Sequence, residues 1–328
     1  MMFKTSLLAV TVLTLLGAAD ADAKITTFDP QGSVDTYPRS VDGGAITGAY
    51  YDSNYTEHGF LRASDGTITT FDGAAGATST FANSIVRGKI VGRYSDSNYV
   101  THGFFRAVDG TITTFDVDGS VGTDAGSMNS AGEIAGDYED VNYYYHGFLR
   151  APDGTITSFD VPEAMQTFPG GINAGGTIVG AYQDSSGYTH GFVRTADGTF
   201  TTFDPAGSSY TQPISINKGG VVAGYYEDSN SAFHGFMRAA DGTITSFDVE
   251  GAVDTSAFGI DNRGNIAGYY DDSGLVTHGF ERHADGTTTM FDPKGSTSTL
   301  PSSISRGMIT GNYNDSNNVS HGFVKSHK

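Results

Sequence analysis

The feature that constrains this chain most is a set of motifs returning at a fixed step. His-Gly-Phe stands at His58, His102, His146, His190, His234, His278 and His321, separated by 44 residues five times and then by 43. Phe-Asp returns at Phe28, Phe71, Phe115, Phe159, Phe203, Phe247 and Phe291. Gly-x-Tyr-x-Asp begins at Gly48, Gly92, Gly136, Gly180, Gly224, Gly268 and Gly311. Three independent markers agree on seven copies. A period of this length means a stacked or circular array of one supersecondary unit.

The interior of one copy identifies that unit. Thr211 to Asn217 predicts a strand ending in an Asn-x-Gly-Gly turn, and Val221 to Glu227 predicts a second strand. Asp228-Ser229-Asn230 turns the chain into a third strand, His234 to Arg238. Asp241-Gly242 is a hairpin signal before a fourth strand, Thr243 to Val249. Four short antiparallel strands in each repeat of roughly 40–45 residues is the signature of a propeller blade. Helical repeats do not fit segments that alternate with period two and are broken by glycine. A parallel β-helix has shorter coils and no such Asp-Gly hairpins. The expectation is therefore an all-β fold, a seven-bladed β-propeller of 44-residue four-stranded repeats.

The phase of the repeat adds a closure. The array begins at Ile25 to Asp29 with a fourth strand and ends at His321 to Lys325 with a third. Pairing the two closes the ring with the N-terminal strand and leaves no free sheet edge. Within the third strand, His58, Phe60 and Arg62 share one face and Leu61 takes the other. Gly59, beside Phe60, lets neighbouring sheets approach.

Residues 1–23 read as a signal peptide: Lys4 near the start, an apolar run over 5–19, and Ala21-Asp22-Ala23 before the cut. The expected organisation is a leader over 1–23, cleaved after Ala23, and one propeller over 24–328 that is secreted or periplasmic, soluble and monomeric. The formal net charge of −19 disfavours nucleic acid and anionic lipid surfaces, and no second apolar run predicts membrane insertion. It favours cations or cationic polymers. Cysteine is absent, so packing and hydrogen bonds must hold the fold.

Ile-Asn-x-x-Gly-x-Ile-x-Gly-x-Tyr, His-Gly-Phe-x-Arg and Asp-Gly-Thr-Ile-Thr-Thr-Phe-Asp together resemble bacterial extracellular repeat proteins of the HAF type. This chain carries Gly where that tripeptide has Ala. The resemblance spans 25–325 and implies export and a propeller-like fold. It implies no activity and no catalytic residues.

Asp52 precedes His58 by six residues, with Ser53 adjacent, and the same offset returns through Asp315 and His321. These are ingredients of a nucleophilic triad. Seven equivalent copies on seven blades cannot converge on one substrate, so each His is expected to be a structural repeat residue, buried against that Asp. Asp116-Val117-Asp118-Gly119 with Asp124, and Asp271-Asp272-Ser273, are faint calcium-like loops without EF-hand spacing. Calcium is a weak candidate, and no other cofactor is expected. Arg62, Arg106, Arg150, Arg194, Arg238 and Arg282 are expected to pair with the Asp of the following Asp-Gly turn. Arg93, Tyr144, Gln166, Lys218, Glu281 and His283 break the repeat but form no set in the sequence.

The candidate ligand-binding residues lie in the second-to-third turns: Asp52, Asn54 and Tyr55; Asp96, Asn98 and Tyr99; Asp140, Asn142 and Tyr143. Aromatic rings beside fixed carboxylates and amides suit sugars or peptides. The expected function is a non-enzymatic, multivalent binding module for extracellular glycan or protein. The alternative is a propeller lyase or hydrolase with one site at the channel mouth.

Overall fold

The computed structural model describes residues 23–327, so the expected leader lies, apart from Ala23, outside the described residues. The chain is all-β, with 28 strands and no helix among the described residues. The first unit is typical: strands Ser33–Asp42, Ala45–Asp52, Glu57–Arg62 and Ile68–Phe71, each antiparallel to the one before. The same meander returns over 79–115 (the second unit), 122–159 (third), 166–203 (fourth), 208–247 (fifth) and 254–291 (sixth). A terminal unit combines both ends. Ser298–Ser305, Met308–Asn314 and Ser320–His327 are completed by Ala23–Phe28, with Thr27 opposite Phe323.

First strands of successive units pack beside one another, while fourth strands pack on their own third strands. The first strand is thus central and the fourth peripheral, as in a propeller. Ser33–Asp42 also packs beside Ser298–Ser305, and the Ser320 amide donates to Asp35 Oδ1 at 2.8 Å. The Phe233 amide donates to Asp254 Oδ1 in the same way, at 2.7 Å, between the fifth and sixth units.

The core lies at these seams. Phe60, Phe104, Phe148, Phe192, Phe236, Phe280 and Phe323, one from each His-Gly-Phe, are fully buried. Burying such a ring contributes roughly 1.5–3 kcal/mol. A Cβ on Gly59 would lie 2.7 Å from the Phe71 ring across the strand pair, so alanine there would displace that ring. This accounts for the glycine in the tripeptide. A hydrogen-bonded ladder runs between units: Asn129 Nδ2 donates to the Asn173 carbonyl, Asn173 to that of Asn217, and Asn217 to that of Asp261. The Asn-x-x-Gly signature marks this belt.

The arginine expectation needs correction. Arg62, Arg106, Arg150, Arg194, Arg238 and Arg282 lie over Phe28, Phe71, Phe115, Phe159, Phe203 and Phe247, ring contacts of 4.7–5.0 Å to the neighbouring unit. The turn aspartates are engaged locally: Asp65 Oδ1 accepts the Thr67 amide at 2.8 Å, while Gly66 supplies the φ of 94° that the turn requires. The terminal unit differs. Lys325 replaces Arg, lies over Phe291, and forms a fully buried 2.7 Å ion pair with Glu281. Glu281 occupies a position that is Leu, Phe, Val or Met in other units.

Candidate functional site

The three repeat markers meet in one cluster per unit. Gly59 pairs with Phe71, which sets His58 opposite Asp72, and His58 Nδ1 hydrogen-bonds Asp72 Oδ1 at 2.7 Å. The expected partner, Asp52, is only a 3.7 Å contact of Nε2. The same inversion holds from His102 with Asp116 to His321 with Asp29. These imidazoles are half-buried rather than buried, with the His58 side chain 23% exposed. Tyr50 lies over the His58 ring at 5.3 Å, and every other unit has the equivalent pair. At His190 and His278 burial lowers the pKa. Hydrogen bonding and charge from Asp204 and Asp292, then Asp184 and Asp272, outweigh it and leave both groups raised.

The second-to-third turns hold the sequence-predicted ligand residues, and most of their polar atoms are engaged within the turn. Asp52 Oδ1 accepts the amides of Asn54 and Thr56, and Oδ2 accepts Asn54 Nδ2. Asp96 with Asn98, and Asp140 with Asn142, repeat this. These backbone amides hold all three carboxyls below the usual carboxylate range. The tyrosines are different. Tyr55, Tyr99 and Tyr143 are 72–83% exposed and sit at φ of 59–65°. The left-handed φ belongs to the turn, since Gly187, Ser231, Leu275 and Asn318 hold it at the equivalent position of the other units; what sets the three tyrosines apart is an exposed aromatic ring.

The two calcium-like loops send their carboxylates elsewhere. Asp116 bonds His102, Asp272 caps its own turn, and Asp271 accepts Thr277 Oγ1 at 2.6 Å. Among the described residues no group of three or more His, Cys, Asp or Glu side chains is arranged to hold a metal.

The groups that do converge were not singled out as a set by the sequence. The residue between Gly and Tyr in Gly-x-Tyr is Ala49, Arg93, Asp137, Ala181, Tyr225, Tyr269 or Asn312. It is the variable position of an otherwise constant motif, and that is the signal that would have found the site. Its cross-strand partner on the central strand varies as well: Phe81 faces Arg93, and Asp124 faces Asp137. Arg93 makes an ion pair with Asp124 across the seam, and Asn83 Nδ2 donates to Asp124 Oδ1 at 2.7 Å. Arg39 and Arg93 flank the Phe81 ring at 4.7 and 4.8 Å.

A cavity of about 320 Å³ opens here, between the second and third units, lined by Arg93, Tyr99, Thr101, Asp124, Asp137, Glu139 and Tyr145. Tyr99 thus joins the turns to the cavity. Desolvation, then the charge of Asp124, pushes Asp137 up to about 8 against the pull of Arg93. Burial lowers Arg93, but its ion pair with Asp124 more than restores it. Asp137 is therefore pushed toward its protonated form, while its cross-strand neighbour Asp124 is engaged by Arg93. In the fifth and sixth units the equivalent face is aromatic, with Tyr225 stacked between Tyr210 and Phe258 and Phe258 on Tyr269.

No family model matches the chain, and no curated protein does either. Solved structures do match. The β-propeller domain of the Trilobed protease from Pyrococcus furiosus is similar over 90% of this chain and 95% of that one, at TM-score 0.63 and 10% identity. An S511A mutant of puromycin hydrolase is similar at TM-score 0.62 and 11% identity, over 87% of this chain. This chain spans about half of that protein, 51% of its length. A six-bladed fungal lectin from Aleuria aurantia matches over 84% of this chain at TM-score 0.47 and 13% identity. At these identities the first two likenesses establish the propeller fold and nothing finer. No helix among the described residues is long and apolar enough to cross a membrane.

Proposed function

We propose that this chain is an exported, non-enzymatic glycan-binding module, a closed ring of seven four-stranded blades that takes ligand in the cavity between its second and third blades. The pairing of Thr27 with Phe323, and the Ser320–Asp35 bond that matches Phe233–Asp254, support the closed ring. One observation carries the ligand reading: charged and aromatic groups that depart from the repeat converge on one cavity. Rings of Tyr99 and Tyr145 beside Asp137, Glu139 and Thr101 supply stacking surface and hydrogen-bonding groups for a sugar. The exposed tyrosines of neighbouring turns extend the surface and add valency.

A glycan array tests this, followed by calorimetry on any hit with a Gly122→Leu variant. A Cβ at Gly122 meets only ordinary contacts, 3.8 Å from Glu139 and Thr101, so the larger side chain enters the cavity with little backbone strain. Loss of binding in that variant supports the proposal. An array without hits, or binding indifferent to Gly122→Leu, contradicts it.

A second reading draws on the same cavity. Two neighbouring carboxyls in unlike surroundings, Asp137 raised to about 8 by burial and Asp124 paired with Arg93, are an arrangement that hydrolytic sites use. Release of reducing sugar from the bound glycan by wild type, abolished in Asp137→Asn, would replace the binding module with a hydrolase.

A further inference from the structure

Each first strand carries one irregularity at the same place. In the first unit the register slips between Pro38 and Ser40 and leaves Arg39 without a cross-strand partner, and every other unit repeats the slip. Such a bulge re-aims a side chain, and bulges are common beside functional sites. Asn83, Gly170, Ile214, Phe258 and Ser302 stand at that place in other units, and Ala125 with Gly126 in the third, so Arg39 brings the only charge to it. Its neighbours use the position to grip the next unit: Ser302 Oγ donates to the Pro38 carbonyl at 2.8 Å and Asn83 Nδ2 to the Ala125 carbonyl at 3.1 Å. Arg39 instead lies on the Phe81 ring, 4.7 Å from its centre, and among the described residues it has no hydrogen bond and no ion pair.

That guanidinium borders a second cavity of about 270 Å³, walled by Tyr37, Tyr51, Glu57, Phe81 and Asn312. Phe81 also touches Arg93, which lines the cavity described above, so the two spaces adjoin. Glu57 already accepts the Tyr51 hydroxyl at 3.1 Å and lies beyond ion-pair distance of Arg39. Protein surrounds most of Arg39, although the side chain still reaches solvent. Burial, then the charge of Arg93, lowers its pKa, and Asp124 and Glu57 do not make up the difference. In a chain with 37 acidic and 18 basic residues, a guanidinium fixed on a ring and short of negative charge suits an anion. Its fork of N–H donors matches a carboxylate, and Tyr37 and Tyr51 offer ring surface to a sugar that carries one. We infer that the ligand is an acidic glycan, a polymer of uronic acid, whose carboxylate pairs with Arg39 while the next sugar occupies the cavity beside Arg93. This rests on the glycan-binding reading above and specifies its substrate class.

Calorimetric titration of the chain tests it. The probes are the α-1,4-galacturonate and β-1,4-mannuronate tetramers, the fully methyl-esterified form of each, and hexaglutamate. At least one acidic tetramer is expected to bind at least about tenfold tighter than its own ester and than hexaglutamate. Arg39→Gln is expected to remove most of that preference. Arg39→Lys, which keeps the charge but not the fork, is expected to retain part of it. Both variants should melt close to wild type, because Arg39 has no hydrogen bond to lose, and lost binding is then not unfolding. An ester that binds as tightly as its acid, or a preference that survives Arg39→Gln, overturns the inference while leaving a glycan module standing. Hexaglutamate binding as tightly as the acidic tetramers overturns it in favour of an acidic peptide. If no tetramer binds but the array yields another glycan blocked by Gly122→Leu, only the inference falls. If no glycan binds at all, both fall.

Discussion

The Arg150 guanidinium carbon lies 4.8 Å from the ring centre of Phe115, a residue of the preceding unit. The turn aspartate near it, Asp153, accepts the Thr155 amide instead. The repeated arginine is therefore a clasp between units, and the buried Nε of Arg150 has no hydrogen-bond partner among the described residues. A double-mutant cycle on Arg150 and Phe115 should give a coupling of about 0.5–2 kcal/mol. The cycle on Arg150 and Asp153 should give less, because that interaction is exposed. Chemical denaturation of the two sets measures both, and the reverse order would restore the ion-pair reading.

Among the described residues, the Glu281–Lys325 pair is the one junction where a fully buried ion pair replaces this pattern. Glu281→Met alone leaves the buried Lys325 ammonium without that carboxylate and should cost about 3–5 kcal/mol. Adding Lys325→Arg recreates the Met237–Arg282 arrangement of the preceding junction and should recover most of the loss. Urea midpoints of the two variants decide. If the double variant is no more stable than the single one, the junctions are not interchangeable.

His190 and His278 carry a pH dependence of defined sign. Both have folded pKa values above the ordinary 6.5, through Asp204 with Asp184 and through Asp292 with Asp272. Their contribution to stability is complete below the unfolded value and is lost as pH rises through the folded one. Asp137, raised to about 8, acts in the same direction, since only the unfolded chain ionises it freely at intermediate pH. The difference between wild type and a His190→Gln/His278→Gln variant isolates the histidines. The wild-type advantage in melting temperature should be largest near pH 5 and shrink by about pH 8–9. An advantage that grows with pH would contradict the assignment.

The fold was legible because copies of the same strands and turns vote together, and errors in any one are outvoted. The phase of the repeat even placed Ile25 to Asp29 beside His321 to Lys325, where the structure pairs them. Partner choice within a unit was less legible. A six-residue separation across a hairpin made Asp52 the obvious mate for His58, yet the antiparallel register Gly59–Phe71 puts Asp72 directly opposite. The cavity was not legible at all. Arg93, Asp124 and Asp137 are far apart in sequence, and their meeting depends on which strand face fronts the neighbouring unit. Once that face is known, the variable residue of Gly-x-Tyr marks the site.

The account stands or falls on where ligand sits. A crystal structure of the chain with a bound oligosaccharide from the array answers this directly. One sugar ring in the cavity between the second and third units, within hydrogen-bonding distance of Asp137 and Glu139 and against Tyr145, is the predicted result. Sugar rings at several Asp-Ser-Asn-Tyr turns, with the cavity between Arg93 and Tyr145 left to solvent, would contradict it.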